Sequence, residues 1–421
     1  MDRPAIVVDP YSAAREYGPA FRARGVPTVA VLSTPAPLPA FAAAWHPEDF
    51  DRTVCFDGDL DRLAARLAAE RPVCVVPGIE SGVELAEALG ERLRPGEGNT
   101  PGSTAARRDK WRMAQAVRAA GVPALRQVCT DDPAQVADWL AETGLAGARL
   151  VVKPPKSGGT EDVHVVAAGA DWRPYFDRLL GAPNRFGARN AAVLVQEFAA
   201  GTEYVVDTYS VAGRLGIAQV CRYAKRACGD RLGIYQSTEV VPPDHPHVPV
   251  LADYVRRVAD AVGLRNGCGH AEVMLTPDGP RLVEIAARLA GNPLPLTCRL
   301  ATGDSQVDRT LRHRLDGTFT PDYRLERHAR IVCLSAARAG RLENAELLAA
   351  AAGLGTAQAV HLPHHTGEVV PATTDLFTSL GWVVLADPDQ TAVAADHDRL
   401  RELERQLVIS PTGSTGEPLS R

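Results

Sequence analysis

Aromatic side chains are scarce. They make up 5% of the 421 residues, which excludes a core built chiefly from rings and leaves Ala, Val and Leu to fill the interior. An excess of one charge is also lacking. Lys and Arg number 46 against 51 Asp and Glu, a formal net charge of −5. Such a balance gives no reason to expect nucleic acid or an anionic membrane as a partner. No apolar run is long enough to span a bilayer, and Asp2 and Arg3 lead into a short strand-like run without a signal-peptide core. A cytoplasmic location is therefore expected. The eight cysteines, Cys55, Cys74, Cys129, Cys221, Cys228, Cys268, Cys298 and Cys333, form no C-x-x-C pair. Several lie in apolar runs, such as Cys74 and Cys333, so buried reduced thiols are expected rather than zinc sites or disulfides. Internal repeats are absent, and no glycine-rich loop matches a Walker A or G-x-G-x-x-G pattern.

What is present is ordinary globular composition, 45% hydrophobic and 23% charged, in a chain long enough for two to four domains. Short apolar runs at Ala5–Val8, Thr28–Leu32 and Val73–Val76 alternate with helical stretches over 13–23 and 80–93. Strands alternating with helices predict a parallel sheet, so residues 1–100 read as a small α/β domain. Arg94–Gly102, with its glycines and prolines, reads as a linker, and Ser103 or Thr104 is the expected cap of a helix running to Ala120. Strands are expected at 125–129, 150–152, 163–166, 193–196 and 203–211, and helices at 133–143, 170–181 and 248–262. Residues 214–240 mix strands with a polar segment. Composition shifts near residue 325, where a last small domain begins, and the Gly/Ser/Pro-rich tail from Pro411 reads as disordered.

Three patterns carry chemistry. Lys153 follows the apolar strand Leu150–Val152, with Lys156-Ser157-Gly158-Gly159-Thr160 just after it. Glycines let backbone N–H groups approach phosphate oxygens and a lysine adds a point charge; a plain hairpin with a surface lysine is the alternative. Val195-Gln196-Glu197-Phe198-Ala199-Ala200-Gly201-Thr202-Glu203 is a strand, a short link and a carboxylate opening the next strand. It can present backbone groups to an adenine edge and Glu203 to ribose hydroxyls, or be a simple connection. The third pattern is the most informative. Glu272 and Glu284 lie on two strands joined by Thr276-Pro277-Asp278-Gly279, and either turn centre puts residue 272 opposite 283–284. Two carboxylates side by side in apolar surroundings repel and resist desolvation. A hard cation such as Mg²⁺ relieves both effects. Arg288 follows, able to reach phosphate oxygens. The plain alternative is a surface hairpin whose glutamates pair with arginines such as Arg281.

Val7-Val8-Asp9-Pro10-Tyr11-Ser12, Pro77-Gly78-Ile79-Glu80-Ser81-Gly82, Arg107-Arg108-Asp109-Lys110 and Gly269-His270-Ala271-Glu272, with Glu284-Ile285-Ala286-Ala287-Arg288-Leu289-Ala290-Gly291, add to these. In this order and at these separations the chain resembles the ATP-grasp superfamily of carboxylate–amine ligases. Within it the likeness is to the dipeptide-forming L-amino-acid ligases of the alanine–anticapsin ligase type. The resemblance implies an α/β fold with an α+β core: a Rossmann-like N-terminal domain over 1–100, an ATP-grasp core over 101–325 with a nucleotide-binding lid at about 125–200, a small C-terminal α+β lobe over 326–410 and a tail over 411–421. It implies ATP and Mg²⁺. Lys110 and Lys153 would contact phosphates, and the loop carrying Ser157, Gly158 and Gly159 would fold over them. Gln196, with the link Glu197, Phe198 and Ala199, would hold adenine, and Glu203 the ribose. Glu272 and Glu284 would bind magnesium, and Arg288 would stabilise the transferred phosphoryl group.

One position departs from the family pattern. The superfamily often has Asn two residues after the second metal-binding Glu, where this chain has Ala286. The expected activity is amide formation through an acyl phosphate, from small-molecule carboxylate and amine substrates such as amino acids, and it admits a homodimer. His270 is the candidate general base, a packed histidine being the alternative. Lys225, Arg226 and Tyr235 are read either as a cover for the γ-phosphate or as a solvated loop. Two rivals stand beside the ligase: a biotin-carboxylase-like carboxylase subunit, and a nucleotide-binding protein without catalysis.

Overall fold

The computed structural model describes residues 3–228 and 231–411, apart from the side chains at 227, 228, 231 and 232. It divides into two compact units, one of residues up to 223 with 240–326, the other of 224–239 with the chain from 327. The expected tail lies outside the described residues apart from Pro411.

The first unit begins with four parallel strands, β1 (Ala5–Val8), β2 (Thr28–Leu32), β3 (Arg52–Cys55) and β4 (Cys74–Pro77), in the order β3-β2-β1-β4. Alternate residues of β1 enter different cores. Ile6 and Val8 pack with Leu63 and Leu67 of α2 (Leu60–Ala68) and with Leu85 and Leu89 of α3 (Val83–Leu93). Ala5 and Val7 face Tyr17 and Phe21 of α1 (Tyr17–Ala23), with Val307 and Leu311 from later in the chain. Both faces are covered, which is why β1 and β2 read as unbroken apolar runs. The ends of β1 and β4 nearly touch: a Cβ on Gly78 would meet the Asp9 carbonyl oxygen at 2.3 Å, so only glycine fits.

Helix α4 (Lys110–Ala119) corrects the expected cap. Ser103 lies before a short 3-10 turn, Thr104–Arg107, and the cap is Asp109, whose carboxylate accepts from the backbone N–H of Trp111 and Arg112. The chain then forms an antiparallel set in the order β7-β6-β8-β5, from β5 (Gln127–Thr130), β6 (Leu150–Lys153), β7 (His164–Val166) and β8 (Val193–Glu197). Helices α5 (Pro133–Glu142) and α6 (Arg173–Leu179) close one face through Val136, Leu140, Phe176 and Leu179. The expected helix over 170–181 is thus shorter at both ends. Strands β9 (Thr202–Val211) and β10 (Arg214–Cys228) follow, then β11 (Arg231–Val240), where the sequence suggested a polar interruption. The described residues of β11 are mostly buried, and its polar run Gln236-Ser237-Thr238-Glu239 is what reads as an interruption in the sequence.

Helix α7 (His247–Ala261) buries Leu251, Val255 and Val258 against the antiparallel set β13-β12-β9-β10, where β12 is Gly267–Thr276 and β13 is Gly279–Ala286. Helices α8 (Leu294–Thr302) and α9 (Gln306–Asp316) complete the unit.

In the second unit β14 (His328–Leu334) pairs with β11 at 237–239. Strands β15 (Gly340–Leu342), β16 (Ala357–His361), β17 (Val369–Val370), β18 (Gly381–Asp387) and β19 (Ile409–Ser410) surround a core of Val332, Leu334, Val383 and Leu385, sealed by Val393 and Leu400 of α10 (Gln390–Arg405). The expectation of buried thiols fails at Cys55, which is exposed, and at Cys129, which is half-buried. No helix among the described residues is long and apolar enough to cross a membrane.

Candidate active site

The hairpin β12–β13 supplies the site's acids. Counting back from the Thr276↔Gly279 pair, Val273 faces Leu282, and regular pairing would then set Glu272 against Val283. A bulge intervenes, and Glu272 pairs with Glu284. The extra residue keeps Leu282 and Ile285, three apart, in the core shared with α7, while Glu284 stays on the half-exposed side with Glu272. Arg281 donates to the carbonyls of Asp278 and Pro280 in the turn. It does not bridge the glutamates, so the plain surface-hairpin alternative fails there.

Cations gather round this pair. Lys110, at the first turn of α4, places Nζ 2.7 Å from Glu284 Oε2 and donates to the Ser157 carbonyl at 2.9 Å. It therefore links the hairpin to the glycine-containing loop. Burial works against charge on Glu284, but Lys110, then Arg288 and Lys153, hold its carboxyl well below the usual range. Lys153, at the end of β6, is 3% exposed and donates to Gln196 Oε1 at 3.1 Å. Burial and neighbouring Lys110 push its pKa down to about 8, opposed by Glu284, Glu272 and Glu203. Lys110, Lys153, Glu203, Glu272 and Glu284 are thus brought together from five segments.

Gln196 also donates through Nε2 to Gln127 Oε1 at 2.5 Å. Glu197 receives Arg126 at 2.6 Å, so its side chain is committed to an ion pair beside the link. Phe198 lies under the Arg149 guanidinium at 3.7 Å. Ala199 lies in the link between β8 and β9. Ser157 is buried, and the loop with Gly158 and Gly159 is braced by a second one. Asn184 Nδ2 donates to the Lys156 carbonyl at 3.1 Å and Glu161 accepts from the Arg185 N–H at 2.7 Å.

His270 is buried on β12. Its Nδ1 lies 2.7 Å from Asp207 Oδ1, and Nε2 is 3.9 Å from Glu272 Oε1. Burial disfavours the imidazolium, yet Asp207 raises its pKa above the ordinary value. Because a carboxylate only accepts, Nδ1 carries a proton and Nε2 is the nitrogen towards Glu272. Arg288, just after β13, donates Nε to Glu80 Oε2 at 3.0 Å and Nη1 to the Leu289 carbonyl at 2.8 Å.

Glu80 and Arg108 are the residues sequence reasoning missed as side chains. Glu80 follows β4 and pairs with both Arg288 and Arg108. Their presence in the quoted motifs was the available signal. Lys225, Arg226 and Tyr235 belong to the second unit and are engaged there: Lys225 Nζ stands 4.3 Å from the Tyr235 ring centroid, and Arg226 donates to Ser335 Oγ at 3.2 Å.

The donor chemistry fits a divalent cation. Among the described residues no three His, Cys, Asp or Glu side chains converge to hold a metal. A Glu272–Glu284 site therefore needs oxygens from a nucleotide or water, the habit of Mg²⁺.

The ATP-grasp domain model matches residues 146–295. Dapdiamide A synthase from Enterobacter agglomerans is 30% identical over 315 residues, 72% of this chain and 71% of that protein. Among solved structures, an L-amino acid ligase from Bacillus licheniformis superposes with a TM-score of 0.71 at 16% identity, covering 98% of this chain and 100% of that one. A carboxyaminoimidazole ribonucleotide synthase from Aspergillus clavatus, complexed with ATP, gives 0.70 at 13%, covering 96% and 99%. These two likenesses concern the fold.

Proposed function

This chain belongs to the ATP-grasp family as an ATP-dependent ligase that forms carbon–nitrogen bonds, and from that premise we propose that it joins a carboxylate to an amine through an acyl phosphate, with amino acids as substrates. The observation that carries the reading is the Glu272–Glu284 pair ringed by Lys110, Lys153 and Arg288. The name of the 30%-identical relative, dapdiamide A synthase, supports amide synthesis.

In the first step a carboxylate oxygen of the substrate attacks the γ-phosphorus. The bond from that phosphorus to the β–γ bridging oxygen breaks, and ADP departs with the electron pair. Bound at Glu272 and Glu284, magnesium would offset charge on the nucleotide's phosphates. Lys153 and Lys110 face those phosphates, Gln196 and the link through Ala199 take adenine, and Glu203 the ribose. Lys110 must then exchange Glu284 for a phosphate oxygen, which its flexible stem allows. Arg288 holds the transferring group. In the second step the amine nitrogen bonds to the acyl carbon, the carbon–oxygen bond to phosphate breaks, and inorganic phosphate leaves. The nitrogen loses a proton, for which His270 Nε2 is the candidate acceptor. Water would hydrolyse the intermediate, so the braced loop over 156–162 serves as the lid.

The test is a pairwise screen of carboxylates and amines for phosphate release, with mass spectrometry of the product. Release that requires both partners, with a product weighing their sum less one water, is expected. Release with bicarbonate and no amine would instead favour the carboxylase, and no release with any pair the non-catalytic protein.

A further inference from the structure

Arg107 and Arg108 are neighbours in sequence with opposite circumstances. Arg107, 1% exposed, has every nitrogen engaged. Its Nε and Nη2 donate to Glu87 at 2.8 and 2.7 Å, and Nη1 donates to Ser103 Oγ at 2.7 Å and to the carbonyls of Val262 and Gly263 at 2.7 and 3.1 Å. Arg108, 9% exposed, pairs through Nη1 with Glu80 Oε1, and its buried Nε has no hydrogen-bond partner among the described residues. The same Glu80 carboxylate also receives Arg288. A buried guanidinium and a half-buried one therefore share one acid.

Glu284 and Glu272 also offset Arg288 electrostatically. In the proposed reaction those two carboxylates go to the metal. Glu80 is then left facing two cations with little water to solvate them, and a buried uncompensated charge is unfavourable. The transferring phosphoryl group answers Arg288, and the unpartnered Nε of Arg108 leaves that side chain to a further anion. The position is suitable: the Arg108 guanidinium carbon is 6.0 Å from the Phe186 ring centroid, and a Cβ on Gly158 would meet the Phe186 ring edge at 3.3 Å. Arg108 thus stands beside the loop assigned to the phosphates, while Arg288 stands at the hairpin.

We propose that Arg108 anchors a substrate carboxylate that does not react, and that Glu80 is a positioning residue holding the two guanidiniums apart. One arginine serves the reacting group and the other the silent acid. This inference rests on the ligase reading. The silent acid has two sources, the amine's own carboxylate in an amino acid or a second carboxylate on a dicarboxylic acyl donor.

The experiment measures thermal stabilisation by titrated ligands in the presence of Mg²⁺ and ADP. L-Amino acids are compared with their carboxamides, and dicarboxylic acids with their monoamides. In the wild-type protein the acid should half-saturate at about tenfold to hundredfold lower concentration than the amide in one of the two series, as expected for a charge-assisted hydrogen bond. That series names the source. Arg108→Gln should bring the ratio close to one, and Arg108→Lys, which keeps the charge but loses the fork, should lower it partly. A wild-type protein indifferent to the silent acid in both series overturns the proposal. So does an Arg108→Gln protein that keeps the preference, or, if that variant does not fold, an Arg108→Lys protein with an unchanged ratio. Failure of the ligase reading is separate: no amide in the product mass spectrum, whatever the binding ratio.

Discussion

The parallel sheet at the N-terminus and the β12–β13 hairpin are built from similar apolar strands and put them to opposite uses. Ile6 and Val8 on one side of β1, and Ala5 and Val7 on the other, are all wholly buried. Burial of such side chains stabilises by about 1.5–3 kcal/mol each for the larger ones. The hairpin buries one face in the core shared with α7 and keeps Glu272 and Glu284 on the other. Two adjacent acids add nothing to the hairpin's own stability, and cations from distant segments must answer them. The lesson is that one element is shaped by packing and the other by charge that packing must tolerate.

Substitutions can break this contrast. The largest effect should come from Glu284→Gln, which removes one of the paired acids with little change of shape. Activity in the phosphate-release assay should fall by about a hundredfold or more, while a cooperative unfolding transition persists. Near wild-type turnover would remove Glu284 from the reaction. Ile6→Ala should do the converse. A fully buried side chain is truncated, so stability should fall by about 2–5 kcal/mol in urea titration, with kcat of the folded protein retained. Loss of kcat without loss of stability would show that the sheet is not merely scaffolding.

The smallest effect concerns pH. His313 on α9 faces the Tyr209 hydroxyl at 3.0 Å, and burial, then the neighbouring Arg314, push its pKa down to about 4. The unfolded chain takes up this proton near pH 6.5, whereas the folded chain resists it. The contribution is therefore fully present above about pH 6.5 and is lost as pH falls towards 4. His313→Gln should flatten the fall in urea midpoint between those values. An unchanged slope would assign the acid sensitivity to other groups.

Much of this was legible in the residues. The run Ala5–Val8 and its successors announced a parallel sheet because strands covered on both faces lack polar alternation. The turn Thr276–Gly279 announced the hairpin. Ser103, Thr104 and Asp109 are all competent caps for α4 in the sequence, and only the intervening 3-10 turn selects Asp109. The full length of β10 and β11 is hidden in the sequence because Arg222, Lys225 and Arg226 on one strand and Gln236-Ser237-Thr238-Glu239 on the other look like a polar loop. Glu80 and Arg108 stood in recognised motifs, but no spacing rule says that two arginines 180 positions apart will meet one glutamate.

By itself the sequence determined the apolar strands at 5–8, 28–32 and 73–76, that a hairpin joins Glu272 to Glu284, and which residue types would suit a nucleotide and a metal, since these follow from local periodicity and turn chemistry. Only the tertiary structure decided the rest: that a bulge sets the two acids opposite each other, that Lys110 and Lys153 converge on them, and that Glu80 lies between Arg108 and Arg288. The reason is physical. Periodicity acts between near neighbours along the chain, whereas the pairing of buried charges depends on which distant segments packing brings within a few ångströms.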